Sequence, residues 1–97
     1  MEITLKADLS TFDFEDVRLA LSSALHHEAT LADARRESYE RICREFESRH
    51  KLTSDEFMQQ FEAGTLGDDA DFFDWYAAKR GLDVWDRRFR ILAGVSV

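Results

Sequence analysis

Proline is absent from this 97-residue chain and glycine occurs only four times. Proline breaks helices from within and glycine weakens them, so their scarcity favours long uninterrupted helices over tight turns. The single cysteine, Cys43, excludes an intrachain disulfide, and no Cys/His cluster has zinc-ligand spacing. No apolar run approaches the roughly 20 residues that cross a bilayer. Met1-Glu2-Ile3 offers neither the basic start nor the apolar stretch of a signal peptide, so a cytoplasmic location is expected. Catalytic signatures are missing as well: there is no phosphate loop, metal-ligand histidine pair or nucleophile elbow. His26 and His27 are neighbours that point about 100° apart on a helix, and Cys43 has no histidine near it in sequence to activate it. An enzyme is therefore not expected, and neither is a cofactor or a metal site.

Basic charge is also in short supply. Thirteen Lys and Arg face twenty Asp and Glu, for a net charge of −7. A sequence-independent nucleic-acid binder draws its affinity from neutralised phosphates, so this balance argues against one and for a basic partner. The chain is 44% apolar and 34% charged, a globular composition. Its length sets residues 1–97 as a single domain with marginal burial.

What is present is periodicity. Residues 2–9 alternate, with Ile3, Leu5, Ala7 and Leu9 on one face, which reads as a half-buried strand or arm over 1–11 with no second strand to pair with. A long helix is expected over 12–50, with Ser10 or Thr11 as its cap and Glu15 and Asp16 in the first turn. Its apolar stripe reads Phe14, Val17, Leu21, Ala24, Leu25, Leu31, Ala32, Tyr39, Ile42 and Phe46. Glu28 and Arg35, seven residues apart, interrupt that stripe. They either snorkel at the seam's edge or set register through a partner charge. Thr53-Ser54-Asp55-Glu56 fits a capping box opening a short helix over 53–63, stopped by Gly64.

A third helix is expected over 69–92, and it carries the clearest pattern of all. Trp75, Ala78, Leu82, Trp85, Phe89 and Leu92 recur in strict 3-4 alternation, with Phe72 one turn earlier. That is the seam of a helix lying along another helix. Gly81 falls inside it, at a cost of about 1 kcal/mol, which leaves room for a bend. The fold class is mainly α: a short N-terminal strand, then a long, a short and a second long helix in an antiparallel hairpin.

Charge is uneven along the chain, with residues 51–74 carrying −6 and residues 75–97 carrying +3. Asp68, Asp69, Asp71 and Asp74 cluster at the start of the third helix beside Phe72, Phe73, Trp75 and Tyr76. Capping and the helix dipole account for part of the cluster. Four aspartates beside aromatics also match an interface aimed at a basic partner. Asp69-Ala70-Asp71-Phe72 does not continue as a calcium loop. Arg87, Arg88 and Arg90 suit the negative end of the helix dipole.

The stretch Glu56-Phe57-Met58-Gln59-Gln60-Phe61-Glu62-Ala63-Gly64-Thr65-Leu66-Gly67-Asp68-Asp69, followed by Asp71-Phe72-Phe73-Asp74-Trp75-Tyr76, resembles small acidic type II antitoxins of bacteria and archaea, the partners of TumE-type toxins. Thr4-Leu5-Lys6-Ala7-Asp8-Leu9-Ser10 and Glu15-Asp16-Val17-Arg18 share the likeness. It covers nearly the whole chain and is densest over 56–92. The resemblance implies an antitoxin that neutralises a small basic toxin by protein contact, through the acidic and aromatic cluster. Two alternatives stand beside it: a self-associating helical structural or adaptor module, possible as a homodimer, and a DNA-binding autoregulator. The last fits poorly, because the strand holds one basic residue, Lys6, and the following helix is far too long for a ribbon-helix-helix module.

Overall fold

The computed structural model describes residues 10–97, so the expected strand lies outside the described residues. Three helices follow one another: α1 over Phe14–His50, α2 over Ser54–Ala63 and α3 over Asp71–Ala93. None of them is long and apolar enough to cross a membrane.

Each boundary has a local cause. The cap of α1 is Asp13, later than the expected Ser10 or Thr11, and its carboxylate accepts from the Glu15 amide at 3.1 Å. At the other end Lys51 takes the left-handed conformation (φ 53°) and its amide closes on the Glu47 carbonyl. The capping box of α2 forms as expected: Thr53 Oγ1 accepts from the Glu56 amide at 3.1 Å, and Glu56 Oε2 accepts from the Thr53 amide at 3.4 Å. Gly64, also left-handed (φ 71°), ends α2 by donating to the carbonyls of Gln60 and Phe61. The third helix begins two residues later than expected. Asp69 serves its first turn from outside, accepting from the Asp71 amide at 2.9 Å through Oδ1 and from the Phe72 amide at 3.1 Å through its carbonyl.

α1 and α3 run antiparallel. Arg49 meets Asp71 at 2.7 Å and Arg36 meets Asp86 at 3.6 Å, so the numbering rises along one helix as it falls along the other. Beyond α3 the chain returns to the start of α1, where Arg18 Nη1 donates to the Val97 carbonyl at 3.3 Å. The result is long and thin, 62 × 24 × 19 Å.

The α3 seam packs as its spacing predicts: Trp75 and Ala78 are buried and Leu82, Trp85, Phe89 and Leu92 half-buried. The α1 stripe needs correction. Phe14, Leu21 and Ile42 are 77%, 50% and 40% exposed, and Ala24 is exposed too. The row that faces α3 is Arg18, Ser22, Leu25, Ala29, Ala32, Arg36, Tyr39, Cys43, Phe46 and His50, itself in strict 3-4 alternation. Six of its ten residues are polar or titratable, so apolar counting is drawn in part to the neighbouring row. Most of their polar atoms have partners that make burial tolerable, Arg36 Nε being buried without one. Arg36 is paired with Asp33 and Asp86 and lies 4.4 Å above the Phe89 ring. Burial pushes the Cys43 thiol upward, partly offset by a hydrogen bond with Ser54.

Gly81 has a steric reason. A Cβ there would stand 2.7 Å from the Tyr39 ring atoms Cε1 and Cζ. The glycine lets α3 approach the α1 ring closely while the helix continues through it.

The core gathers where all three helices meet. Trp75 is fully buried, stacked on Phe57 at a centroid distance of 4.0 Å and flanked by Phe46 at 5.8 Å and His50 at 5.5 Å. Its indole Nε1 donates to Ser54 Oγ at 2.9 Å, satisfying the buried donor. The Ser54 amide in turn donates to Glu47 Oε2 at 2.8 Å, a carboxylate placed at the positive end of α2. Lys79 of α3 reaches α2 through Asp55 at 3.3 Å and pairs within its own helix with Asp83 at 2.9 Å. Partial burial opposes its charge, yet the two carboxylates hold its pKa above the ordinary value.

Candidate functional site

The acidic and aromatic cluster lies at this same end, over the α2–α3 loop and the first turns of α3. The fold divides its eight residues into two groups. Trp75 belongs to the core. Phe72 is half-buried between Phe57 at 5.7 Å and His50 at 5.3 Å, and Tyr76 stacks on Phe61 at 4.9 Å. Asp71 is held within the chain: its Oδ2 accepts from Arg49 Nη1 at 2.7 Å and lies 3.0 Å from His50 Nε2. Arg49 first, then His50, keeps the Asp71 carboxyl below its usual range, and Asp71 raises the Arg49 guanidinium in return. This junction fastens the C-terminal end of α1, where cations are favoured, to the N-terminal end of α3, where anions are.

Asp68, Asp69, Phe73 and Asp74 form the other group, and all four are exposed. Phe73 is 73% exposed, touching the protein through an edge-on contact with Phe61 at 5.9 Å. Asp68, Asp69 and Asp74 make no ion pair among the described residues. The patch is therefore a protruding aromatic ring backed by Phe61 and Tyr76, with Asp74 next to it in sequence and Asp68 and Asp69 in the preceding loop, Asp69 on the side of Asp71 and His50. Phe61 is the member absent from the expected site residues, since only the fold brings α2 against Phe73 and Tyr76.

His50, Asp69 and Asp71 place three potential ligand atoms within 4.8 Å of one another. Arg49 already supplies positive charge at the shared Asp71 oxygen, so a cation there would compete with a guanidinium. The arrangement fits a helix junction better than a metal centre.

A second surface lies along the thinner half of the hairpin. Of the α1 stripe read from sequence, Leu25, Ala32, Tyr39 and Phe46 face α3, whereas Leu21, Leu31 and Ile42 lie one position before that row, about 100° round the helix. The latter row carries Glu28, which faces Val84 and Ile91 of α3 across an open flank. A groove of about 510 Å³ on this flank is lined by Glu28, Val84, Arg87, Arg88, Ile91 and Leu92. Arg35 and Arg88 cover the Trp85 ring at 4.5 and 4.7 Å. Sequence reasoning assigned Arg87, Arg88 and Arg90 to the helix dipole; of the three, only Arg90 has an ion pair among the described residues, with Asp86 at 3.0 Å.

No family model, curated protein or solved structure matches this chain.

Proposed function

We propose that this protein is a non-enzymatic binding protein that captures a small basic protein on its acidic, aromatic end, as the resemblance to small antitoxins implies. The observation that carries the reading is Phe73, a large ring held out in solvent on a stretch that also exposes Asp68, Asp69 and Asp74. An aromatic anchor flanked by unpaired carboxylates suits a basic protein surface, with the ring supplying contact energy and the charges steering the approach. Asp71, Phe72, Trp75 and Tyr76 support the patch from behind. Within this reading the chain is an antitoxin, and neutralisation is by occlusion of the toxin's surface.

A pull-down with the tagged full chain from its native host at moderate salt, followed by mass spectrometry, tests the proposal. One small basic protein recovered near stoichiometry is the expected result. Substituting Asp68, Asp69 and Asp74 by Asn should slow association about tenfold at low salt and flatten its salt dependence. Phe73→Ala should speed dissociation, at a cost of about 1–2 kcal/mol. Failure to recover any basic partner, or a partner bound equally well by both variants, removes the proposal.

A further inference from the structure

We infer that the arginine-rich flank of the thinner half, where α3 exposes Val84 and Ile91 beside Glu28 of α1, is a docking site for an acidic amphipathic helix of another protein. This site is separate from the capture of a basic partner at Phe73 and does not depend on it.

Charge is satisfied very unevenly on the two sides of α3. On one side every cation has a carboxylate: Lys79 has Asp55 and Asp83, Arg90 has Asp86, and Arg36 of α1 has Asp33 and Asp86. On the other side Arg80, Arg87 and Arg88 of α3 and Arg35 of α1 make no ion pair among the described residues. Glu28 is the one carboxylate that lines the groove there. Arg35 and Arg88, one from each helix, both lie over the Trp85 ring, at 4.5 and 4.7 Å. Two guanidinium groups sharing one ring repel each other, and a carboxylate brought from outside would offset that repulsion.

Spacing gives the shape of the complement. Arg80, Val84, Arg87 and Ile91 recur on α3 in 4-3-4 steps, and all four are exposed. Such a row presents one continuous strip to a helix lying alongside it. Val84 and Ile91 are 45% and 61% exposed, and with Leu92 they form the apolar part of the groove of about 510 Å³. Cationic and apolar side chains thus alternate along the strip. Its complement carries apolar anchors at helical spacing with carboxylates beside them, which describes an acidic amphipathic helix.

The net charge of −7 does not oppose this. Asp74 and Arg87 are thirteen residues apart on α3, about 20 Å along the helix. Charges are screened over about 8–10 Å at physiological salt, so the acidic tip and the arginine-rich flank act as separate electrostatic surfaces. Nucleic acid has the same sign as the inferred partner but fits worse. Glu28 would face its phosphates, and the Trp85 ring that could stack on a base is already covered by Arg35 and Arg88.

The test is a titration of the isotope-labelled full chain, followed by heteronuclear NMR, with three synthetic helical peptides and a single-stranded RNA. The first peptide carries a leucine seam at 3-4 spacing flanked by glutamates. The second has lysine for glutamate, and the third has serine for leucine. The glutamate peptide should bind, moving the Trp85 indole signal and the backbone signals of Val84, Arg87 and Ile91 while the Trp75 indole stays in place. The lysine and serine peptides should leave those signals unmoved. Arg87→Glu with Arg88→Glu should weaken the glutamate peptide about tenfold or more and admit the lysine peptide. Val84→Ser with Ile91→Ser should weaken it by removing the apolar anchors. All four positions are exposed, so far-UV circular dichroism should show an unchanged fold. A glutamate peptide that does not bind, that ignores the charge reversal, or that binds no better than its serine counterpart overturns the inference. Tighter binding of the RNA at the same signals overturns it as well. None of these substitutions touches Phe73 or its aspartates, so this site and basic-partner capture can fail separately.

Discussion

Trp75 and Trp85 lie on the same 3-4 seam of α3, ten residues apart, yet the fold treats them oppositely. Trp75 is fully buried, sandwiched by aromatic rings and hydrogen-bonded through its indole N–H. Trp85 is half-buried and covered by two guanidinium groups, Arg35 and Arg88. The difference is the presence of α2. Where three helices meet, a large ring can be enclosed on every side. Where only two run together, the seam is one layer deep and long cationic side chains have to roof it. A two-helix half cannot complete a core, and that incompleteness leaves Val84 and Ile91 of α3 exposed.

Truncation should separate the two tryptophans most sharply. Trp75→Ala is expected to remove about 3–5 kcal/mol of stability in chemical denaturation, because it empties an enclosed site and takes the indole donor from Ser54. Trp85→Ala should cost only about 1–2 kcal/mol, the loss of a half-buried ring and its cation–π contacts. Equal losses would show that both halves of the hairpin are packed alike.

Gly81, at the boundary between the halves, gives a middle-sized effect whose sign is informative. Alanine gains about 1 kcal/mol of helix propensity over glycine, but its Cβ would press on the Tyr39 ring at 2.7 Å. Overpacking of this kind costs about 1–3 kcal/mol. Gly81→Ala should therefore lower the melting temperature in the wild type and raise it in a Tyr39→Leu background. Stabilisation in both backgrounds would mean that Tyr39 yields without cost.

The smallest effect is at the Arg49–Asp71–His50 junction. Arg49, with His50, lowers the Asp71 pKa in the folded chain. The stability it contributes is fully present above the unfolded carboxylate value of about 3.9, and is lost as pH falls through the lower folded value. An acid titration followed by tryptophan fluorescence should show this loss, since His50 stacks on Trp75. Asp71→Asn should flatten that part of the profile, and an unchanged profile would place the acid sensitivity elsewhere.

Much of the fold was legible because it depends on local chemistry. The capping box at Thr53 and Glu56, the stop at Gly64, the absence of breakers through α1 and the α3 heptad all appear in the residue order and all form. The α1 contact face was legible only in part, through Leu25, Ala32, Tyr39 and Phe46. Its inward row includes Ser22, Arg36, Cys43 and His50, while Leu21 and Ile42 on the next row look more like core. On a helix whose two adjacent rows both repeat every seven residues, hydrophobicity alone cannot choose between them. Spacing does not reveal the pairing of Arg36 either. That residue is admitted to the seam because Asp33 and Asp86 converge on it from two helices.

The candidate site was legible as a composition and not as a surface. Eight residues at 68–76 read as one acidic, aromatic cluster. Helical geometry turns Trp75 inward and Phe73 outward, and contacts 22 and 21 positions away in sequence remove Asp71 and Trp75 from the exposed set.

By itself the sequence determined that this chain is helical, where its helices cap and stop, and that α3 lies along a partner helix, because these follow from backbone hydrogen bonding and side-chain period within a few turns. Only the tertiary structure decided which α1 residues meet α3, which of the two seam tryptophans is enclosed and which aspartate is paired across the helices, because each is settled by side chains brought together from distant parts of the chain.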